Sequence, residues 1–152
     1  MKIQEVILKN GQISFFDAFH IFRLRMEVFC TEQRCWYVDP DEYDFIATHI
    51  LIYITDSDKF KQLAAYARVY QKDERYVISR VCTHLLFRKQ GLGKRVMELA
   101  LSHCPEGSTI YVQAQAYLKK FYEDFGFIQQ NTNILWEDAV AHIPMIKVNI
   151  KK

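Results

Sequence analysis

The stretch Arg88-Lys89-Gln90-Gly91-Leu92-Gly93 lies between an apolar strand and an amphipathic helix, and this unit constrains the fold more than any other. Upstream, Tyr76 to Thr83 reads as a strand. Downstream, Leu92, Val96, Leu99 and Ala100 recur on one face of a helix expected over Gly91 to His103. A glycine-rich turn that opens a helix is a physical means of holding phosphates. The first helical amides lack internal partners, and the dipole adds roughly half a positive charge there. Glycine lets the backbone approach an anion without an intervening Cβ. Lys94 and Arg95 add mobile positive charge beside the turn. The spacing is not the dinucleotide fingerprint, which needs a third glycine, nor a Walker loop, since no Gly-Lys-Ser/Thr follows.

The chain has 152 residues, which suits one domain over 1–152 with a single core. Lysine plus arginine total 20 against 18 acids, a net +2, too balanced to indicate a nucleic-acid protein. No apolar run approaches the roughly 20 residues that span a bilayer, so no membrane partner is expected. The N-terminus reads as free of a signal peptide. Cys30, Cys35, Cys82 and Cys104 form no Cys-x-x-Cys pair, which argues against a metal site. Reduced thiols in a cytoplasm are the expectation.

Ile3 to Leu8 reads as a first strand ended by Asn10-Gly11. Ser14 with Asp17 resembles a capping box. Phe15, Phe19, Phe22 and Met26 recur at helical spacing to about Phe29 and are expected in the core. Cys30 to Thr48 is the longest irregular candidate. Strands follow at His49–Thr55, Leu63–Tyr70, Tyr76–Thr83 and Thr109–Ala114. A helix is expected over Tyr117–Phe125, with Gly126 as its C-cap, and a last strand over Pro144–Val148. The order is that of an α/β (α+β) protein, a mixed sheet with packed helices.

Arg-x-x-Gly-x-Gly resembles the acyl-CoA pyrophosphate loop of the GNAT family of N-acetyltransferases. Val112 to Phe127, ending Phe121-Tyr122-Glu123-Asp124-Phe125-Gly126-Phe127, is similar to that family's Phe-Tyr-x-x-x-Gly-Phe pattern and follows at a suitable distance. Leu24-Arg25-Met26-Glu27-Val28-Phe29, Glu32-Gln33-Arg34-Cys35-Trp36-Tyr37, Asp44, His49, Arg80-Val81 and His142-Ile143-Pro144-Met145 resemble its ElaA-like group. The chain departs from that group at Trp36, where proline is usual, and at Ala141.

The resemblance implies a GNAT-type, mostly antiparallel mixed sheet and transfer of acetyl from acetyl-CoA to an amine. It implies pyrophosphate binding around Lys89, Gln90, Gly91, Leu92 and Gly93, with Arg88 and Lys94 nearby. Gln115 joins the cofactor side. The Val81, Cys82 and Thr83 backbone would pair with the pantetheine arm as an added strand. Tyr122 takes the general-acid position, beside the alternative of aromatic packing with Phe121 and Phe125. The base is open. Some relatives carry Glu in the fourth strand, but Tyr76-Val77-Ile78 holds no carboxylate. Glu32, Asp44, His49 and His84 are candidates, each with a structural alternative, and His142 is treated as structural. Arg25, Gln33, Tyr37 and Arg80, with Glu32, either line the acceptor side or form an internal network with acids such as Glu32 or Asp44.

The acids of Asp39 to Asp44 favour a cationic acceptor, unless they form a solvated loop. A homodimer is compatible with the aromatic content. Two other activities stay open: an acyl-homoserine lactone synthase, echoed by Phe29, Trp36, Asp39, Asp41, Tyr43 and Asp44, and a non-catalytic CoA-binding module.

Overall fold

The computed structural model describes residues 1–9, 11–137 and 139–150. Strand β1 (Lys2–Leu8) leads to α1 (Phe15–Arg25), which runs on into a π-helical turn (Met26–Glu32). A short α2 (Tyr43–Ile46) precedes β2 (Thr48–Thr55), β3 (Lys61–Lys72) and β4 (Arg75–Thr83). Then come α3 (Leu92–Ser102), β5 (Thr109–Gln115), α4 (Lys119–Glu123), β6 (Ile128–Gln129), β7 (Leu135–Glu137) and β8 (Val140–Val148). The sheet order is β1-β2-β3-β4-β5-β8-β6, with β7 also on β8.

Among the described residues only β4 and β5 pair in parallel, because α3 crosses over between them. Every other pairing is antiparallel. This is the mixed, mostly antiparallel sheet expected from the sequence. Ile50, Ile52 and Ile54 point to the face covered by α3, where Val96, Met97 and Ala100 pack. Leu51 and Tyr53 point to the opposite face, against Ile21 and Leu24 of α1. Burial on both faces explains why β2 is apolar without alternation.

The Ser14 hydroxyl accepts from the Asp17 amide at 3.1 Å and donates to its carboxylate at 2.8 Å, so the expected N-cap forms. Of the aromatic core expected for α1, only Phe22 is partly buried and packs against the cluster of Ile21, Leu24 and Val28. Phe15 is 87% exposed, and Phe19 and Met26 are about half exposed. Ile21, Leu24, Arg25 and Val28 are buried instead. Two stripes share the helical period, and the aliphatic stripe is the one that carries Arg25 to its buried acids.

The irregular segment contains the π-helical turn and α2. The Tyr117–Phe125 helix is a 3-10 turn followed by the short α4, and Gly126 ends it at φ +92°. Strand β8 starts four residues earlier than expected, since Pro144 sits inside it. Strands β6 and β7 were not expected: they have two and three residues, mostly exposed. Gly11 turns at φ +80°, while Asn10 lies outside the described residues.

Candidate active site

The parallel contact between β4 and β5 is confined to Tyr76 with Ile110 and Val77 with Tyr111. Beyond those pairs the strands splay, and the β4 edge from Ile78 to Thr83 faces open space rather than β5. A β-bulge lies in the same stretch. The register with β3 shifts between Tyr66, opposite Cys82, and Arg68, opposite Ser79. Arg80 is the extra residue, at φ +56°. A non-glycine residue there costs about 1–2 kcal/mol. Charge-assisted bonds hold it: Arg80 donates to the Asp39 carboxylate at 2.9 Å and to the Asp39 carbonyl at 3.0 Å.

At the end of β4, Lys89 and Gly91 both adopt positive φ (+61° and +79°) and turn the chain into α3. Gly91 is the N-cap, with no side chain to satisfy the amides behind it. Among the described residues, no backbone carbonyl accepts from the amides of Leu92, Gly93 or Lys94. These donors are free for an anion. A Cβ on Gly93 would stand 3.5 Å from the Thr83 hydroxyl and 3.9 Å from Phe121, so glycine permits a close approach of helix and strand.

A cavity of about 580 Å³ extends from this turn along Val81, Cys82 and Thr83 to Tyr122. Arg88, Lys89, Gly91, Leu92, Gly93, Lys94 and Gln115 also line it, whereas Gln90 is exposed outside it. A second cavity of about 350 Å³ opens on the α1 face, bounded by Tyr37, Arg80, Glu137 and His142. Gln33, Val81, Gln115 and Tyr122 line both, so the two spaces meet at the splay. Gln115 donates to Gln33 at 2.8 Å and accepts from Tyr117 at 2.6 Å, bridging the mouth between them.

Tyr122 is 6% exposed and stacks edge-on with Phe121 and Phe127. Its ring is packed, and its hydroxyl makes no hydrogen bond to the described residues. Burial, then the neighbouring Tyr117 and Cys82, push the phenol well up, so it keeps its proton.

The acidic loop is folded inward. Asp39 is 2% exposed. Arg25, fully buried, donates to Asp39 at 2.7 Å and to Asp44. Arg68, equally buried, takes Asp41 at 2.6 Å and Asp44 at 2.9 Å. With Arg80 this makes three arginines against three aspartates, a locally neutral network. Arg25 therefore braces the loop instead of lining the cleft, and these acids do not offer the free negative charge expected of them. Asp44 is the acid foreseen for such a network; Asp39 and Asp41 were missed, because no local spacing marks which loop acid meets a distant arginine.

The candidate bases are placed just as plainly. Both Glu32 oxygens accept from Arg88, one at 2.7 Å. The hydrogen bond from Arg88 outweighs burial and holds the Glu32 carboxyl below the usual range. Arg88 also donates to the Thr83 carbonyl at 3.1 Å, so it ties the π-helical turn to β4. His49 uses both nitrogens, toward Tyr66 at 2.6 Å and the Asp44 carbonyl at 2.9 Å. His84 accepts from the Leu86 amide at 3.1 Å and lines a separate hollow with His20 and Glu27. Arg95 turns away from the glycine turn to Glu5, 2.9 Å away.

A model of the GNAT acetyltransferase domain matches residues 33–149. The chain belongs to the GNAT acetyltransferase family. Within the family it falls in the ElaA-like group. It is 34% identical to the protein ElaA of Escherichia coli over 92% of this chain and 93% of that one. The crystal structure of Escherichia coli ElaA superposes with a TM-score of 0.82, over 96% of this chain and 99% of that one. An acyl-CoA N-acyltransferase from Pseudomonas aeruginosa is 28% identical, with a TM-score of 0.82, over 97% of this chain and 100% of that one. Among the described residues no cluster of His, Cys, Asp and Glu is arranged to hold a metal. No helix among them is long and apolar enough to cross a membrane.

Proposed function

We propose that this protein is an acetyl-CoA-dependent N-acetyltransferase that moves acetyl to a primary amine by direct attack on the thioester, with both substrates bound together. One observation carries the reading: the slot opened after Val77 and Tyr111 connects the free-amide turn with a second cavity, and Tyr122 stands where they meet.

The amides of Leu92, Gly93 and Lys94, with Lys89 beside them and the Gly91 turn shaping the approach, hold the pyrophosphate. The open β4 edge at Val81, Cys82 and Thr83 hydrogen-bonds the pantetheine amides like an added strand. Acetyl-CoA supplies the activated acyl group. Gln33, Tyr37 and Arg80 wall the acceptor side, and Gln115 marks its junction with the cofactor side. The amine nitrogen attacks the carbonyl carbon, the C–N bond forms and the C–S bond breaks toward sulfur. Tyr122 then gives its proton to the departing thiolate.

Thermal unfolding with acetyl-CoA, CoA and ATP at matched concentrations tests the cofactor half. Ligand at 100 times its dissociation constant adds about 2.7 kcal/mol, several degrees in melting temperature. A rise with both CoA compounds and not ATP is expected. Thiol release across a panel of primary amines tests the transfer. Binding without turnover of any amine would leave a CoA-binding module instead.

A further inference from the structure

The Arg–Asp network and the Arg88–Glu32 pair remove most proton acceptors from the cleft. Of the carboxylates lining either cavity among the described residues, Asp41 is held by Arg68 and Glu32 by Arg88. Glu137 of β7 and the imidazole of His142 on β8 remain, and both face the acceptor cavity. His142 is 8% exposed and stands opposite Gln115 in the β5–β8 register, at the junction that Tyr122 also lines. Its Nδ1 lies 3.1 Å from the Val140 carbonyl. A carbonyl only accepts, so Nδ1 carries the proton and Nε2 presents a lone pair. Nε2 is 3.7 Å from the Glu137 carboxylate, too far for a direct hydrogen bond and close enough to stabilise an imidazolium.

We propose that His142 is the catalytic base that deprotonates the acceptor ammonium, with Glu137 as the positioning carboxylate that stabilises the imidazolium. The inference rests on the acetyl-transfer reading. The ammonium gives one proton to Nε2 and becomes a neutral amine. That nitrogen forms the new C–N bond while the C–S electron pair leaves on sulfur. Tyr122 protonates the sulfur and regains a proton, through solvent, from the acylated nitrogen. The imidazolium passes its proton to solvent past the exposed Glu137, so each turnover releases one proton. The other charged or titratable groups around this cavity are the paired Arg68, Asp41 and Arg80, the cations Lys72 and Arg75, Cys35, and the phenols of Tyr37, Tyr70, Tyr111 and Tyr122.

The test compares wild type, His142→Gln and Glu137→Gln with an amine from the panel, across pH. His142→Gln should lower kcat about 10²-fold near neutral pH, leave KM for acetyl-CoA unchanged, and recover above about pH 10, where an alkyl amine is neutral by itself. Glu137 is exposed, so Glu137→Gln tests the pair without risk to the fold and should shift the acid limb of the profile toward lower pH. Long-range nitrogen spectra of histidine-labelled protein give a readout independent of turnover: an Nδ1–H tautomer at high pH, titrating at lower pH in Glu137→Gln than in wild type. A kcat within about twofold of wild type, a loss equal at all pH values, or an Nε2–H tautomer would overturn the assignment. Wild-type protein that acetylates no amine would instead overturn the acetyl-transfer reading, and the base assignment with it.

Discussion

Arg25 Nε donates to Asp39 Oδ2 at 2.7 Å, with both side chains sealed from solvent. The bond joins the end of α1 to a loop fourteen residues on, and the same aspartate holds Arg80 in the β4 bulge. A buried ion pair of this kind anchors the loop that walls the second cavity. Removing one partner leaves the other charge buried and uncompensated, so Arg25→Gln should destabilise by about 3–5 kcal/mol. Urea unfolding checks this, and a cost below about 1 kcal/mol would mean the loop's fold does not depend on the pair.

Acid should loosen the same loop. Burial raises the Asp44 carboxyl, but the Arg25 and Asp41 hydrogen bonds and the charges of Arg25 and Arg68 win, leaving it at about 2 against an ordinary 3.8. A depressed carboxyl stabilises the fold above its unfolded value, and that contribution disappears as pH falls through the folded one. Stability from Asp44 should therefore be complete above about pH 5 and drain away between about pH 4 and pH 2. Denaturant midpoints for wild type and Asp44→Asn should converge over that window; a constant gap would exclude the linkage.

Tyr122→Phe removes a hydroxyl that holds no other group in place. Turnover should fall about 10²-fold while acetyl-CoA affinity and melting temperature stay near wild type. Equal turnover in the two proteins would refute the acid role.

The two glycines of the turn should respond differently. Gly91 has φ +79° and open space around its would-be Cβ, so Gly91→Ala should cost about 1–2 kcal/mol from backbone strain alone. Gly93 has ordinary helical dihedrals and only van der Waals contacts at 3.5 Å and beyond. Gly93→Ala should leave the melting temperature unchanged or slightly higher, and weaken acetyl-CoA binding by crowding the free amides. Calorimetry with and without acetyl-CoA separates the two effects; matched behaviour of both variants would refute the distinction.

The local sequence by itself determined the elements whose causes are local. The Ser14 cap, the apolar strands β2 to β5 and the glycine turn into α3 depend on neighbours a few residues apart, where propensity and periodicity act. The turn itself was legible for that reason, and the place of Tyr122 beside the cavities because its motif resembles a known family. Tertiary structure decided the pairings between distant residues. Which stripe of α1 turned inward depended on Arg25 reaching Asp39 and Asp44, and Glu32 became a strut because Arg88, 56 residues away, folds against it. Strand β7, mostly exposed, carries no periodic burial signal, yet its pairing with β8 brings Glu137 to His142. Charges that one-dimensional reading left free to act as bases were neutralised by long-range ion pairs, because burying a charge demands a partner wherever in the chain it lies.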